Sequence, residues 1–443
     1  MIVGVLELTS KYRYGFTSRG APMFLFVPYD ETIPNCIVGC SHRDLGRNQI
    51  GLITLDLTEK NKSEKPRGTL VRLLGPVGDV DAERFAILYQ HCPDATKKVK
   101  DTDISVLSSE SRVEISANTG WQTFHVDPPG CRDIDDAMAF HPEKGWAITI
   151  ADAAAAVLPN TPIDDRAKSI GATFYDLNGV VVQPMLPASI SEGTSSLIPG
   201  SPRLGITLMV DSGIFVLSLI TVAESYTYDS VLGHPLLEGA EPHEWIEHAM
   251  IRYNTAVARL LREHSTGILR TQTQGDAEAM AHWSSIDPAL KFMAMEAASY
   301  ECANPLMEQS HSSLGLEAYC HASSPLRRYA DLVNQRCLKH ILSGTAVPVD
   351  TILPTHLNQR MKANRRYSRD LLFLEKITPG RIHMISVVWL SDTQVWVPEW
   401  KRILRINHVP SEKKPCISIF CDPTKRNWKQ RILTAETVIQ PLT

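Results

Sequence analysis

Asp127, Asp133, Asp135 and Asp136 stand in the run Asp-Pro-Pro-Gly-Cys-Arg-Asp-Ile-Asp-Asp, four carboxylates within ten residues. Carboxylates crowded in this way repel one another unless cations sit between them. An all-oxygen donor set on a short loop suits hard ions such as Mg2+ or Mn2+. A solvated acidic turn is the competing reading, and the density of aspartates weighs against it. An EF-hand is poorly supported, because the loop lacks a Glu at its twelfth position.

A second cluster lies in Ser324-Pro325-Leu326-Arg327-Arg328-Tyr329-Ala330-Asp331. It reads as a helix start, with Ser324 as N-cap and Pro325 in the first turn, where a missing N–H costs nothing. Free N–H groups, the helix dipole and two guanidiniums then make an anion site, and Arg forks suit phosphate. In the competing reading, one arginine simply pairs with Asp331. Joined to the aspartates, the cluster favours phosphodiester hydrolysis: divalent ions clamp the scissile phosphate and an Arg meets the developing charge. A third feature is Arg360, Lys362, Arg365, Arg366 and Arg369. The last four share one helical face, which is either a track for a nucleic-acid backbone or a solvated surface.

The elements that must position these groups follow from the apolar pattern. Residues 1–77 hold five short strands (Val3–Glu7, Met23–Val27, Ile37–Cys40, Ile50–Leu57, Thr69–Leu74), as in a small OB or cold-shock barrel. Tyr12, Tyr14, Phe16, Phe24 and Phe26 are either stacking residues or barrel core. Residues 78–114 comprise a helix from Asp79 to His91 and a linker with Lys97, Lys98 and Lys100. In 115–375, Thr123–Val126 and Ala137–Phe140 flank the aspartates, Ala147–Ala151 is a buried strand, and Leu204–Val210 with Ile214–Ala223 forms a hairpin. Helical periodicity predicts helices around Ile246–Leu261, over 286–302 and over 325–342. Strands return in 376–443, a second small barrel. There 11 Lys and Arg face 5 Asp and Glu, a basic surplus of six. The expected fold class is α+β, a mixed domain flanked by small barrels.

The chain of 443 residues has room for two to four domains. The apolar stretch Ile214–Ala223 is too short to span a bilayer, and no basic-then-apolar start suggests a signal peptide. Nine scattered cysteines match no zinc spacing, so they read as reduced thiols, with a cytoplasmic location as the default. A net charge of -4 argues against bulk nucleic-acid coating and leaves a local basic channel open.

In this order the clusters resemble the catalytic domain of the RNase II (RNB-domain) family of exoribonucleases. The family pattern runs D-x5-D-x-D-D, I-A-D, M-L-P and S-P-[IL]-R-[RK]-Y-x-D. Here it reads Asp127…Asp136, Ile150-Ala151-Asp152, Met185-Leu186-Pro187 and Ser324…Asp331. The match spans roughly residues 120–340. Ser196-Leu197-Ile198-Pro199-Gly200 follows M-L-P. The resemblance implies processive 3′→5′ hydrolysis of single-stranded RNA to nucleoside 5′-monophosphates by a monomer with two Mg2+ ions, Mn2+ being an alternative. It makes Asp127, Asp133 and Asp136 metal ligands, and Asp135 the position most sensitive for catalysis. It places Arg327 on the scissile phosphate and Tyr175 at the terminal nucleotide. From the anion-site and basic-face readings above, Arg328, Arg365 and Arg366 are expected as further RNA contacts. The family's V-H-I-A-D-V-S-H run has lost both histidines in Trp146–Ala155, and the chain between Asp136 and Arg327 is shorter than in bacterial members. Phe292 and Ser299 stand where the family has acidic and Asn positions. These departures touch the clamp on the terminal base, and with it processivity and the preference for RNA over DNA. The rival expectations are an RNB-fold RNA-binding protein with weak turnover and a docking subunit of an RNA-processing assembly.

Overall fold

The computed structural model describes residues 1–56, 65–92, 110–237, 239–345, 352–377, 380–406, 413–422 and 432–434. The linker lysines Lys97, Lys98 and Lys100 lie outside them. β1 (Ile2–Leu6), β2 (Met23–Pro28), β3 (Cys36–Gly39), β4 (Gln49–Leu55) and β5 (Arg67–Pro76) close into a barrel in the order β1-β2-β3-β5-β4. The strands pair antiparallel except β3 with β5. Gly4 lets β1 and β2 approach, since a Cβ there would lie 2.3 Å from the Val27 carbonyl oxygen. Phe24 and Phe26 are fully buried beside Leu6 and Val38, so they are barrel core, while Tyr12 and Phe16 are exposed. α1 (Val80–His91) follows, capped by Asp79, whose carboxylate accepts the Ala82 N–H at 2.8 Å.

The central unit is built on β6 (Val113–Ile115), β7 (Gln122–Val126), β8 (Asp136–His141) and β9 (Gly145–Ala151). After α2 (Pro162–Ile170) and the small ladder β10 (Phe174–Tyr175) with β11 (Val181–Gln183), the sheet is completed by β12 (Arg203–Met209), β13 (Ile214–Ile220) and β14 (Glu224–Tyr226). Its order is β14-β7-β8-β9-β12-β13-β6. α3 (Pro242–Glu263) and α5 (Tyr329–Leu342) are tied to it by hydrogen bonds: the Tyr253 hydroxyl donates to Ile206 O at 3.3 Å, and Gln335 Nε2 to Ala151 O at 2.7 Å. Tyr253, Val257 and Leu261 turn one face of α3 into the shared core, as the periodicity predicts.

The helix expected over 286–302 does not form. α4 (Ala277–Ile286) ends before Pro288, a short 3-10 turn covers Pro288–Ala294, and Ser299–Cys302 is a strand, β16. Apolar runs of this length suit either period, and β16 is decided by its partner, β15 (Ile268–Thr271), with Arg270 opposite Tyr300.

α6 (Leu353–Lys376) then runs across all three units. Its His356 and Asn364 meet the Lys168 and Thr173 carbonyls at 2.8 and 3.2 Å. Asp370 pairs with His91 of α1 at 3.0 Å, both side chains being buried. Beyond it, β17 (Ile382–Ser386), β18 (Val388–Trp389), β19 (Gln394–Val397), β20 (Arg402–Arg405), β21 (Cys416–Cys421) and β22 (Ile432–Thr434) form two three-stranded sheets, β17-β21-β22 and β18-β19-β20. The nine cysteines form no disulfide. Among the described residues no helix is long and apolar enough to cross a membrane.

Candidate active site

The acidic loop is the connection between β7 and β8, which pair antiparallel with Phe124 opposite Met138. Gly130, at φ +81°, permits the tight turn in which the Cys131 N–H donates to Pro128 O at 3.1 Å. The loop is braced from behind. Ser196 Oγ donates to Arg132 O at 2.7 Å and accepts the Ile134 N–H at 3.0 Å, and the Leu197 N–H donates to Ile134 O at 3.0 Å. Met185 and Leu186 of the M-L-P run are core residues. Asp152 of the I-A-D run is structural: it accepts from Arg112 Nη2 at 2.6 Å and Lys339 Nζ at 2.9 Å.

The arginine segment departs from the expected helix start. Pro325-Leu326-Arg327 is a turn, Arg328 makes a bridge to Ala172, and α5 begins at Tyr329. Long-range bonds override the local signal, because the N–H groups that a helix would leave free are taken. Leu326 N–H donates to Asp135 Oδ1 at 2.9 Å, Arg328 N–H to Ser324 O at 3.0 Å and Tyr329 N–H to Gly171 O at 2.9 Å. Proline serves a turn as readily as a first helical residue.

Both arginines meet carboxylates. Arg327 Nε donates to Asp135 Oδ2 at 2.9 Å, so Asp135 grips the turn twice. Arg328 forks onto Asp331 at 2.9 and 2.8 Å, and Asp331 also accepts the Ser324 N–H at 2.8 Å. The pairing with Asp331 that the sequence left open therefore belongs to Arg328, and Arg327 faces the aspartates.

The remaining acidic groups differ in their partners. Asp127 Oδ2 meets His125 Nδ1 at 2.9 Å. Asp133 accepts from the Tyr175 hydroxyl at 3.2 Å and from Cys131 Sγ at 3.4 Å. Asp136 has no hydrogen-bond donor among the described residues. Burial, then the charges of Asp127 and Asp135, pushes its carboxyl well above the ordinary value. Burial also raises Asp135 to about 7, against the pull of Arg327 and the Leu326 N–H. For Arg327, burial works against the charge, but Asp135, Tyr175 and Asp136 outweigh it and the guanidinium stays ionised. Its side chain keeps 46 % of its exposure, whereas that of Asp135 keeps 2 %, so Arg327 reaches toward solvent with Asp135 behind it.

The structure thus brings Asp127, Asp133, Asp135, Asp136, Arg327 and Tyr175 into one cluster, hereafter the acidic cleft. Arg328 is turned to Asp331. Arg365 and Arg366 are exposed on α6 with Lys362 and Arg369, while Arg360 is turned inward onto Ile170 O and His91 O at 3.2 and 2.8 Å. Among the described residues no three His, Cys, Asp or Glu side chains converge as a ready-made cage. The donor chemistry nevertheless fits a hard cation, since Asp136 is an unpartnered carboxylate facing two like charges.

Two neighbours were not among the predicted site residues. His125 sits two positions before Asp127, and strand alternation alone could have placed it on the same face. Tyr228, stacked on His243 at 3.8 Å, has its hydroxyl pKa raised by burial and then by Asp136 and Asp127. It arrives through the parallel pairing of β14 with β7, for which the sequence carries no local signal.

This combination of sheet, acidic loop and arginine turn has relatives. The chain belongs to the RNB domain family, whose model matches residues 117–232 and 237–344. A second model, the Dis3-like cold-shock domain 2, matches residues 23–92. Ribonuclease R of Helicobacter pylori is 25% identical over 309 residues, 49% of this chain and 48% of that protein. Exosome complex exonuclease RRP44 homolog A of Arabidopsis thaliana is 25% identical over 452 residues, 75% of this chain and 47% of the relative. The chain spans about half the length of these curated relatives. Among solved structures, Mycoplasma genitalium RNase R in complex with ribose methylated single-stranded RNA superposes with a TM-score of 0.69 at 15% identity, covering 98% of this chain and 89% of that one. Yeast Ssd1, a pseudonuclease, gives a TM-score of 0.70 at 17% identity, covering 96% of this chain and 66% of its own. One fold thus serves a ribonuclease and a pseudonuclease, so the chemistry has to be argued from the cleft.

Proposed function

We propose that this protein is a metal-dependent 3′→5′ exoribonuclease that hydrolyses single-stranded RNA to nucleoside 5′-monophosphates. The observation that carries the reading is the double grip of Asp135 on Leu326 N–H and Arg327 Nε, both at 2.9 Å. It fixes a guanidinium beside Asp136, a carboxyl group crowded by Asp127 and Asp135, so cation-holding and phosphate-holding groups lie side by side. Asp127, Asp133 and Asp136 would hold Mg2+ or Mn2+, with Asp127 and Asp133 exchanging His125 and Tyr175 for the ion. Two such ions supply Lewis-acid polarisation of the phosphate and a water of lowered pKa. Asp135 orients Arg327, which also donates from Nη2 to Ser324 Oγ at 3.2 Å and offers its exposed edge to a phosphate oxygen. Tyr175, beside Asp133, borders the position of the terminal nucleotide. Arg328 holds the turn through Asp331, and Arg365 and Arg366 face the approaching strand.

We assign residues 1–77 to a cold-shock-type barrel, 78–114 to a helix and linker, 115–375 to the catalytic unit and 376–443 to a basic OB-like unit. A cytoplasmic monomer is part of the proposal; the nine cysteines, none in a disulfide, support its intracellular side.

A second reading, an RNA-binding protein of this fold without turnover, is favoured by the absence of a converged cage among the described residues. A time course on 5′-labelled single-stranded RNA with Mg2+, with EDTA and with Asp135→Asn separates the two. Metal-dependent shortening from the 3′ end that is lost in the variant supports the enzyme. Intact RNA under all three conditions, with binding retained, supports the second reading.

A further inference from the structure

β15 carries a buried cation that the acidic cleft does not use. Arg270 is 8 % exposed, its backbone N–H donates to Tyr319 O at 2.8 Å, and across the ladder it faces Tyr300. Its guanidinium lies 5.3 Å from the Tyr300 ring centroid, and Nη1 donates to Met361 Sδ at 2.9 Å. A thioether is a weak acceptor and a ring face offers only a quadrupole. Among the described residues no carboxylate pairs with Arg270. A buried charge without a counterion is costly, and such charges are retained where something pairs with them.

The same sulfur accepts from Arg365 Nη2 at 3.5 Å, so two guanidiniums converge on one side of α6. Arg328 stands behind them, its fork occupied by Asp331. Of the three arginines, only Arg328 has a carboxylate partner among the described residues. The strain is visible in the neighbours. Burial, then Arg365 and Arg328, pulls Arg270 below its ordinary value against the opposing Tyr300, and His321 is held neutral by burial and by Arg328 and Arg270. His311 Nδ1, buried nearby, has no hydrogen-bond partner. Arg365 is exposed, which opens the pair to solvent, and Arg328 follows Arg327 directly, which sets the pair beside the cleft.

We propose that Arg270 and Arg365 form a second phosphate site that takes an internucleotide phosphate of the bound strand, on the 5′ side of the bond that is cut. The assignment rests on the RNA-hydrolase reading. Arg270, fixed by ring and sulfur, is the preorganised half, and Arg365 closes on the anion from the solvent side. One phosphodiester supplies a counter-charge to the two arginines that Asp331 leaves uncompensated. The site distinguishes a nucleic-acid backbone from bases, so it adds affinity and salt dependence without sequence preference.

The test is binding of a fluorescent single-stranded oligoribonucleotide in EDTA, with each linkage in turn replaced by an uncharged methylphosphonate. In the wild type one linkage costs about fivefold to tenfold in affinity. Arg365→Gln and Arg270→Gln each reproduce that loss on the native strand, reduce the salt slope by about 0.7, and lose nothing more when combined with the neutral linkage. Because Arg270→Gln alters a buried position, the exposed Arg365→Gln carries the test independently, and Arg270→Lys restores part of the affinity. Unchanged affinity and slope in Arg365→Gln, or equal linkage penalties in variant and wild type, overturn the site. If the linkage effect is present but the wild type cuts no RNA, the hydrolase reading falls and the phosphate site stands. If RNA is cut and every linkage is indifferent, the reverse holds.

Discussion

Asp135 and Arg327 are 192 positions apart in the chain and 2.9 Å apart in space, a buried carboxylate set behind a guanidinium at the cleft edge. The first prediction follows from this pair. Asp135→Asn keeps the side-chain shape and one acceptor oxygen but removes the charge that orients Arg327. RNA hydrolysis should fall by at least about 100-fold with RNA affinity near wild type, because the change acts on transition-state charge more than on ground-state contacts. Single-turnover kinetics and equilibrium binding on the same preparation check it. An equal loss in both would count against the assigned role.

Asp136 yields a prediction with opposite signs in two conditions. Without metal, Asp136→Asn relieves repulsion from Asp127 and Asp135, so the variant should be more stable than wild type by about 1 kcal/mol. With Mg2+ or Mn2+ present, the wild type should gain thermal stability and the variant much less. Thermal unfolding in EDTA and across a metal titration reads both. A variant that responds to metal as the wild type does removes Asp136 from the ligand set.

Asp331 closes the neighbouring pair by accepting from Arg328 twice and from the Ser324 N–H. Asp331→Asn leaves a partly buried guanidinium uncompensated and should cost about 2 kcal/mol of stability. The midpoint of urea unfolding measures this, and a shift within error would show that the fork is replaceable by water.

His321 sets a pH dependence. Its Nδ1 meets the Tyr300 hydroxyl at 2.7 Å and its ring lies among Tyr300 and Tyr319; burial first, then Arg328, Arg270, His311 and Arg365, disfavours its protonation. The folded pKa is therefore depressed. Above about pH 6.5 both folded and unfolded forms are neutral and nothing is lost. Below it the unfolded chain binds a proton that the folded one does not, so stability falls by up to about 1.4 kcal/mol per pH unit from this group. Urea unfolding between about pH 7.5 and about pH 5.5 should show a shallower decline in His321→Gln than in the wild type. Parallel declines would place the pH sensitivity elsewhere.

The acidic loop was legible because its strand, turn and strand are written consecutively from Gln122 to His141, and α3 because one helix carries its own period. The start of α5 was not, since it is set by Asp135 accepting the Leu326 N–H and by Gly171 accepting that of Tyr329, partners far away in sequence. β16 was misread for a similar reason: its strand character comes from β15. Arg270 was invisible because Ile268-Leu269-Arg270-Thr271 looks like any short strand with one charged position. Nothing local says that its side chain ends against a sulfur shared with α6. Local order could be read from spacing, whereas groups brought together by two or three separate elements could not.

α6 has a further consequence. Asn358 takes both backbone groups of Tyr300, Asn364 holds Thr173, Arg360 reaches His91 O, and Asp370 holds the His91 ring. β16, the segment leading into β10 and the end of α1 are thus lashed to successive turns of a single rod. Adding one residue between Lys362 and Asn364 would rotate everything beyond it by about 100° and break the alignment of the Asp370 and Asn358 moorings together. The relative placement of the elements around the arginine turn is accordingly gauged by the phase of one helix, and the rod acts as a ruler whose graduations cannot be shifted singly.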